Sequence, residues 1–357
     1  MEGEEDVDDD LSPDASQEKS HQQKSRLNYV YFHTSEMGKT FEKYSDVLIA
    51  DSTYCTNKYD MPLMVFLCLD AYGNGRVVGY CLLRDESKEN VKNAVDAFCK
   101  SHPTAQGNVK TVLVDKDYNE REAIRQYFPN AIIHICLFHT LQIFNRQTKD
   151  ECDRENLRVI LEGLAYCSTK ECYFELYDKL KCVASKNFFK YFNDNWHNCR
   201  ECWTMFDRDL SLNCGQTTTN MAESHNQKIK AILKKKRPSM VELLRNLLLL
   251  HTSKTSRVSM NTFNGKVKIR YITNNDDPIV QQIANSTTPF VGGLLQTQYN
   301  WAMEKASIPD ALPSGFDYSS CTCRFFTSFQ LPCSHIFLGR LRDGRCFLNM
   351  HLRSELI

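Results

Sequence analysis

The chain has 357 residues, of which 42% are hydrophobic and 25% charged, the composition of an ordinary globular protein with room for a large domain and an appendage, or for two domains. Its net charge is zero, but residues 1–24 hold nine acidic and two basic side chains, so the remainder carries +7. These acidic residues do not match the basic start of a secretory signal, and the apolar run Leu247–Leu250 is too short to cross a bilayer. No membrane partner is therefore expected.

The first predicted segment is an acidic, disordered tail, assigned to residues 1–44 because its composition offers little to bury. Five apolar runs of strand length follow, at residues 46–51, 62–70, 76–83, 109–114 and 131–135. Asn74-Gly75 predicts a hairpin between the second and third runs, and helices are predicted after Ser87 and at 120–128. The order β-β-β-α-β-α-β predicts an α/β protein with a ribonuclease-H-like mixed sheet, within a domain of residues 45–235.

Residues 141–212 are predicted to form a helical insertion in this domain. They are rich in aromatic side chains, and we interpret these as a helical core, because base stacking would need basic residues interleaved on an exposed face. Two further helices are predicted at about 222–236 and 240–251. The sequence after residue 251 is less periodic, and residues 236–312 as a whole are predicted to form a helical connector.

Four metal-binding side chains lie close together near the end of the sequence, as Cys321-Thr-Cys323 and Cys333-Ser-His335. Three thiolates and one imidazole make a closed tetrahedral set, which predicts a structural zinc ion without an open position for catalysis. The chain has 16 cysteines and no export signal, so metal binding is expected in preference to disulfides. The alternative is that the four residues coincide by chance.

The spacing of the two pairs predicts that a short hairpin joins them, with Phe325, Phe326, Phe329 and Leu331 as a small core. Because so small a segment cannot fold on apolar burial alone, zinc binding and folding are expected to be one event. The Cys-x-Cys and Cys-x-His pairs resemble the SWIM-type zinc finger, over residues 313–345. The resemblance implies a zinc module that contacts DNA or protein partners.

Carboxylates follow two of the predicted strands, Asp51 the first and Asp115 the fourth. In a ribonuclease-H-like sheet these strands are parallel neighbours, and Glu223, in the first turn of a later helix, could join the two aspartates. Three converging carboxylates can hold two Mg²⁺ ions for attack on a phosphodiester. The structural alternative is that strand-end aspartates form turns and that Glu223 favours the helix dipole. Asp46 and Asp117 are rival ligands.

Three blocks around these carboxylates resemble the catalytic domain of Mutator-like-element (MULE) transposases. They are Asp51-Ser-Thr-Tyr54 with Met61-Pro-Leu63, Thr111-Val-Leu-Val-Asp115 followed by Cys136-Leu-Phe-His139, and Asn220-Met-Ala-Glu223-Ser-His-Asn226. The resemblance implies that Asp51, Asp115 and Glu223 are a metal-binding triad. A SWIM finger behind a MULE core is the order of that family, and the chain is similar to the transposon-derived zinc finger SWIM domain-containing proteins 1 and 3. A DNA-binding finger ahead of Asp51 is not found, so transposition by this chain alone is not expected.

Three weaker signals remain. Cys136 and His139 have the spacing of a metal half-site, although buried core residues are the favoured interpretation. Cys199 and Cys202 also have this spacing, but on a helix the two thiols would face apart. The basic run Lys234–Arg237 indicates a nuclear-import signal, a DNA-phosphate contact or a solvated helix end.

These observations favour a zinc-binding, transposase-derived protein of the nucleus that binds DNA or protein partners. One rival is an active strand transferase that uses Mg²⁺ at the three carboxylates. Another is a protein-interaction adaptor, nuclear or cytoplasmic, that never binds nucleic acid. The oligomeric state and the DNA sequence recognised do not follow from the sequence.

Overall fold

A computed structural model describes residues 27–234, 236–267, 277–308 and 321–343. Its strands are β1 (Tyr29–Phe32), β2 (Val47–Thr53), β3 (Leu63–Leu69), β4 (Gly75–Leu83), β5 (Thr111–Val114) and β6 (Ile132–Ile135). They form one six-stranded sheet in the order β1-β4-β3-β2-β5-β6. β2, β3 and β4 pair antiparallel, whereas β5 and β6 run parallel to β2. The predicted α/β class and ribonuclease-H-like mixed sheet are confirmed.

The folded domain begins earlier than predicted. β1 pairs antiparallel with β4 as an additional edge strand, with Tyr29 opposite Leu83. Helix α1 (Ser35–Lys43) follows it and buries Met37 and Phe41 completely. The prediction that order begins near residue 44 is therefore wrong, because the apolar residues after the acidic run are enough to form a strand and an amphipathic helix. Residues 1–26 of the predicted tail lie outside the described residues.

Helices cover both faces of the sheet. Successive side chains of a strand point to opposite faces, so neighbouring residues of one strand pack against different helices. The next helices are α2 (Lys88–Ser101), α3 (Pro103–Gln106) and α4 (Tyr118–Tyr127). Val95, Phe98 and Ile124 of these helices pack with Phe66 of β3 on one face. The other face, to which Val65 points, is covered by helices that come after the insertion.

The insertion between β6 and those later helices is helical, as predicted. It consists of α5 (Leu137–Gln147), α6 (Arg154–Tyr166), α7 (Lys170–Val183), α8 (Lys186–Asn195), a 3₁₀ helix (His197–Cys202) and α9 (Met205–Arg208). Trp196 and Trp203 are fully buried, with their rings nearly perpendicular and 5.8 Å apart, and Phe144 packs against both. These aromatic residues form a core, as the sequence interpretation favoured.

The remaining described helices are α10 (Asn220–Leu233), α11 (Met240–Val267), α12 (Pro278–Ser286), α13 (Pro289–Lys305), α14 (Arg324–Phe329) and α15 (Ser334–Arg342). α10 and α11 contribute Ile229 and Leu247 to the second face of the sheet. Within the described ranges, none of the helices combines the length and apolar character needed to span a bilayer.

The hairpin predicted between the two Cys/His pairs is wrong, because α14 occupies that position. Cys323 caps this helix by accepting the N–H of Phe326, and Gln330 ends it in a left-handed conformation with φ of 52°. The segment also does not form a core of its own: Leu331 and Phe337 pack with Leu295 and other residues of α12 and α13. Residues 309–320 and 344–357 lie outside the described residues, so the finger boundaries at 313 and 345 remain predictions.

Candidate functional site

Strand pairing places Asp51 and Asp115 at the same edge of the sheet. β2 and β5 are parallel, with Val47 opposite Thr111. Four residues further along both strands, this register brings Asp51 beside Asp115. Asp51 lies within β2 and is only 6% exposed, whereas Asp115 directly follows β5 and is half-buried. The strand register therefore agrees with the expectation that Asp51 and Asp115 lie side by side.

The first turns of α10 face this pair of aspartates. Glu223 and Asn226 lie one turn apart, so they share a face of the helix. The Asn226 side-chain amide donates a hydrogen bond to Asp51 Oδ2 at 2.6 Å, and both residues are buried. The charge of Glu223 contributes to the electrostatic environment of Asp51. The structure therefore brings all three predicted carboxylates to one end of the sheet.

A histidine occupies the space between Asp115 and Glu223. His139 lies in the first turn of α5, with its Nδ1 2.5 Å from Asp115 Oδ1 and its Nε2 3.3 Å from Glu223 Oε1. Cys136 caps the same helix, and its sulfur accepts the backbone N–H and the hydroxyl of Thr219, each at 3.3 Å. Asp115, Cys136 and His139 have ligand atoms within 4.8 Å of one another. The Cys-x-x-His pair is thus part of the acidic site, and the favoured interpretation of both residues as buried core holds only for Cys136, because the His139 side chain is partly exposed.

Burial and neighbouring charges shift the protonation of these groups. Burial raises the pKa of Asp51 to about 7, and the nearby charge of Asp115 contributes. Contact with Asp115 raises the pKa of His139 to about 11, with a further contribution from Cys136, so His139 is a cation at neutral pH. Burial acts to raise the pKa of Cys136, but contacts with His139 and Thr219 bring it below its usual value. The site therefore contains its own cation.

Sequence reasoning also missed Glu120, which lies in the first turn of α4. This side chain is buried, and burial raises its pKa well above the usual value, with Asp115 and Asp51 contributing. The Glu120 carboxyl group therefore has a stronger tendency to hold a proton than a free glutamate does, and it lies beside the acidic pair. The signal in the sequence was a second acidic residue three positions after Asp117, at the start of a helix.

Asp117 and Asp46, the two rival carboxylates, both take part in local hydrogen bonds. Asp117 caps α4, because its Oδ1 accepts the backbone N–H of Glu120 at 3.0 Å. Asp46 precedes β2 at the end of the strand opposite to Asp51, and its backbone carbonyl accepts the N–H groups of Lys110 and Thr111. Neither observation favours a role in metal binding.

Two Mg²⁺ ions do not fit this site as it stands. Asn226 already binds Asp51, and His139 contacts both Asp115 and Glu223. Mg²⁺ prefers a nearly octahedral shell of oxygen ligands, whereas here an imidazolium lies where a metal ion would balance the two carboxylates. Among the residues that the structure describes, no compact ligand group contains all three carboxylates. As it stands, the arrangement pairs Asp115 and Glu223 with a histidine.

The other cysteine pair of the helical insertion belongs to the protein core. Cys202 is buried among the aromatic residues, and Cys199 packs against them. The ring of His197 stacks on Tyr177, with ring centroids 4.3 Å apart. In the described part of the chain these residues do not join a metal-binding cluster.

The four side chains predicted as zinc ligands meet at one point. The ligand atoms of Cys321, Cys323, Cys333 and His335 lie within 4.8 Å of one another. His335 Nδ1 is 3.8 Å from the sulfur atoms of both Cys321 and Cys333. A tetrahedral zinc ion bound at about 2.3 Å to sulfur and about 2.1 Å to nitrogen implies sulfur-to-nitrogen distances of about 3.6 Å. The cluster therefore fits a zinc ion.

Local backbone structure holds the sulfur atoms in this arrangement. Cys321 Sγ accepts the N–H of Cys323 at 3.4 Å, and Cys333 is the residue that precedes α15, which contains His335 in its first turn. Burial raises the pKa of Cys333, and the thiols of Cys323 and Cys321 contribute. Because three thiolates repel one another in such a site, they are stable together only with a cation between them.

A cleft of about 940 Å³ connects the acidic site with the helical insertion. Acidic side chains line one part of it, namely Glu86, Asp115, Asp117 and Glu120. Basic side chains line another part, namely Lys116, Arg146, Lys149 and Arg154. Lys116 is held against the insertion, with its Nζ 3.1 Å from the centre of the Trp196 ring. The basic group of the cleft, Arg146, Lys149 and Arg154, is here called the basic wall.

Comparison with known proteins adds to this geometry. Residues 11–134 match the family model of the ribonuclease-H-like domain of zinc finger SWIM domain-containing protein 1/3. The chain is 26% identical over 182 residues to the human protein ZSWIM9, covering 50% of this chain and 29% of that protein. It is 24% identical over 209 residues to the Arabidopsis thaliana protein FAR-RED IMPAIRED RESPONSE 1, covering 56% of this chain and 24% of that protein.

A further similarity is to the PKS-NRPS hybrid synthetase cheA of Chaetomium globosum, 24% identical over 351 residues, which covers 84% of this chain and 7% of that protein. The chain spans less than a third of the length of each of these relatives. The predicted resemblance to MULE-derived proteins with a SWIM domain is confirmed by these matches.

Proposed function

We propose that this chain, as a relative of the MULE-derived SWIM-domain proteins, is a zinc-binding nuclear protein that binds DNA or protein partners and does not cut DNA. Cys321, Cys323, Cys333 and His335 would hold one structural zinc ion, which would stabilise the end of the described fold. The observation that favours DNA as the partner is the basic wall of the cleft.

The basic wall has the properties of a phosphate-binding surface. Arg146 and Lys149 are exposed at the C-terminal end of α5, and Arg154 begins α6, where its guanidinium donates to Asn145 Oδ1 at 2.8 Å. Exposed lysine and arginine side chains of this kind neutralise DNA phosphates and release counterions. Outside residues 1–24, the chain also has a net charge of +7, which favours approach to an anionic partner.

The proposed nuclear location depends on the basic run Lys234–Arg237. Lys234 ends α10 in a left-handed conformation and is exposed, as are Lys236 and Arg237. Arg237 forms an ion pair with Asp60. Because this pair is exposed, it is weak and would not prevent an import receptor from binding the run.

Reversing the charge of the basic wall is the direct test of DNA binding. The double variant Arg146→Glu, Lys149→Glu is expected to bind a duplex oligonucleotide about tenfold more weakly or worse at low salt, because two phosphate contacts become repulsive. Fluorescence anisotropy with a labelled duplex measures this affinity. The matched control is Lys170→Glu, Lys179→Glu, which makes the same charge change at exposed positions of α7 that do not line the cleft.

Three outcomes separate the candidates. Loss of affinity in the cleft variant alone supports the proposal. Equal loss in both variants means that binding depends only on net charge, and the cleft is then not the DNA site. If the wild-type protein does not bind DNA even at low salt, the protein-interaction adaptor becomes the better interpretation.

An active strand transferase is the second candidate, and the position of Asp51 beside Asp115 favours it. Glu223 is on the facing helix, and burial raises the pKa of Asp51, with contributions from the charges of Asp115 and Glu223, as in sites that collect carboxylates for a cation. This candidate requires His139 to leave the acidic site so that Mg²⁺ can enter. The two candidates therefore differ in one result, which is whether divalent metal ions lead to DNA cleavage.

A further inference from the structure

A second polar pocket lies on a different face of α10 from the acidic site. Asn220, Ser224 and Lys228 recur at intervals of four residues, so they form a stripe that is separate from the face of Glu223 and Asn226. This stripe lines a pocket of about 550 Å³ between α10, α11 and the turn that joins β3 to β4. One helix thus presents an acidic site on one face and a different kind of site on another.

The pocket is positively charged. Arg76, Lys228 and Lys254 line it, and among the described residues that line it none is acidic. Asp70 lies behind the wall, 3.6 Å from Arg76, and its other carboxylate oxygen accepts the backbone N–H groups of Tyr72 and Asn74. Asp70 therefore pairs with Arg76, one of the three cations that line the pocket.

A buried hydrogen-bond chain holds Lys254 in place. Its Nζ donates to His225 Nδ1 at 3.0 Å, and because a lysine ammonium can only donate, Nε2 of His225 carries the ring proton and donates to the Tyr80 hydroxyl at 2.8 Å. His225 and Tyr80 are both buried. Burial lowers the pKa of His225 to about 3, so this partner is neutral and does not balance the charge of Lys254.

The cations of the pocket destabilise one another in the absence of an anion. Burial lowers the pKa of Lys254 to about 8, and the charges of Lys228 and Arg76 contribute. A bound anion would relieve both effects, since it would replace lost hydration and lie between like charges. Neutral hydrogen-bond donors also line the pocket, namely the Ser224 hydroxyl and the Asn74 and Asn220 amides.

The geometry points to a binding site for a phosphate group in this pocket, held by Arg76, Lys228 and Lys254 with hydrogen bonds from the neighbouring hydroxyl and amide groups. A phosphate has several strong acceptor oxygens and up to two negative charges, which match this set of donors. The start of α10 at Asn220 adds the positive end of a 14-residue helix. The site is separate from the cleft and does not depend on the function proposed above.

Titration of the full chain with inorganic phosphate, followed by calorimetry at constant ionic strength, tests this proposal. Lys228 is exposed, so Lys228→Met is expected to fold normally and to bind phosphate at least about tenfold more weakly. Lys228→Arg keeps the charge and is expected to bind phosphate like the wild type. The matched control Lys179→Met, at an exposed position of α7, should leave the affinity unchanged.

Equal phosphate affinity in the wild type and in Lys228→Met, or no phosphate binding by the wild type, would overturn the assignment. A duplex oligonucleotide identifies the source of the phosphate. If Lys228→Met weakens binding of both phosphate and DNA, the pocket holds a backbone phosphate; if it weakens only phosphate binding, the ligand is a small phosphate compound. The cleft variant Arg146→Glu, Lys149→Glu should bind inorganic phosphate normally, so the failure of one proposal is distinguishable from the failure of the other.

Discussion

Replacing Cys333 by serine is expected to reduce the zinc content from about one ion per chain to almost none. A Cys₃His site that loses one thiolate keeps three ligands and loses both charge and tetrahedral closure. In small zinc modules the metal contributes on the order of 10–16 kcal/mol to folding, so α14 and α15 should lose their order together with the ion. Metal analysis of the purified protein, with hydrogen exchange of residues 321–343, measures both effects.

The consequences of this substitution should extend beyond the finger. Leu331, Phe337 and Leu338 pack with Val291 and Tyr299 of α13. Loss of the finger would therefore expose apolar side chains of α13 and increase its hydrogen exchange. Cys152→Ser is the matched control, because Cys152 is exposed and lies in the insertion, outside the cluster. Undiminished zinc in Cys333→Ser would contradict the assigned ligand set.

The second large effect is expected from His139→Gln. Glutamine keeps a polar side chain but removes the cation between Asp115 and Glu223, whose charges then repel each other. Removing one partner of a fully buried pair costs about 3–5 kcal/mol, and because these side chains keep some contact with solvent we expect about 2–3 kcal/mol near pH 6. Urea denaturation of the variant and the wild type measures this difference in the free energy of unfolding.

The pH dependence of this difference identifies its cause. The pKa of His139 is about 11 in the folded protein and about 6.5 in the unfolded chain, so its stabilisation is fully present below pH 6.5 and is lost as the pH rises towards 11. The cost of His139→Gln should therefore be greatest near pH 6 and become smaller as the pH rises above 6.5. The matched control is His33→Gln, because the ring of His33 contacts Tyr31 and His102. A cost that is the same at pH 6 and pH 9 would mean that the ring acts only through packing.

The edge of the sheet was predictable because strands and their pairing have a strong sequence signal. The alternation of apolar runs and the Asn74-Gly75 turn predict β2, β3 and β4, and the parallel pairing of β2 with β5 then brings Asp51 beside Asp115. The position of His139 could not be predicted in the same way. Its contact with Glu223 depends on how α5 and α10 are placed relative to each other, and no periodic pattern in either helix specifies that placement.

The finger shows a similar limit. Ligand spacing predicts that Cys321, Cys323, Cys333 and His335 meet, because the choice of thiol and imidazole ligands is largely independent of what lies between them. The intervening α14 was not predicted, because Phe325 and Phe329, four residues apart, fit an apolar hairpin core as well as a helix face. The packing of the finger on α13 depends on contacts with a segment whose sequence has little periodicity.

Incubation of the purified, zinc-loaded chain with duplex DNA in Mg²⁺ and, separately, in Mn²⁺ distinguishes a DNA-binding protein from a DNA-cutting enzyme. Because His139 lies between Asp115 and Glu223 and Asn226 binds Asp51, we expect the DNA to be bound and recovered intact. Binding should weaken steeply as salt rises from about 50 to about 200 mM, as phosphate contacts require. DNA cleavage that requires the metal ion and is abolished by Asp51→Ala would overturn the proposed function and establish the chain as an enzyme.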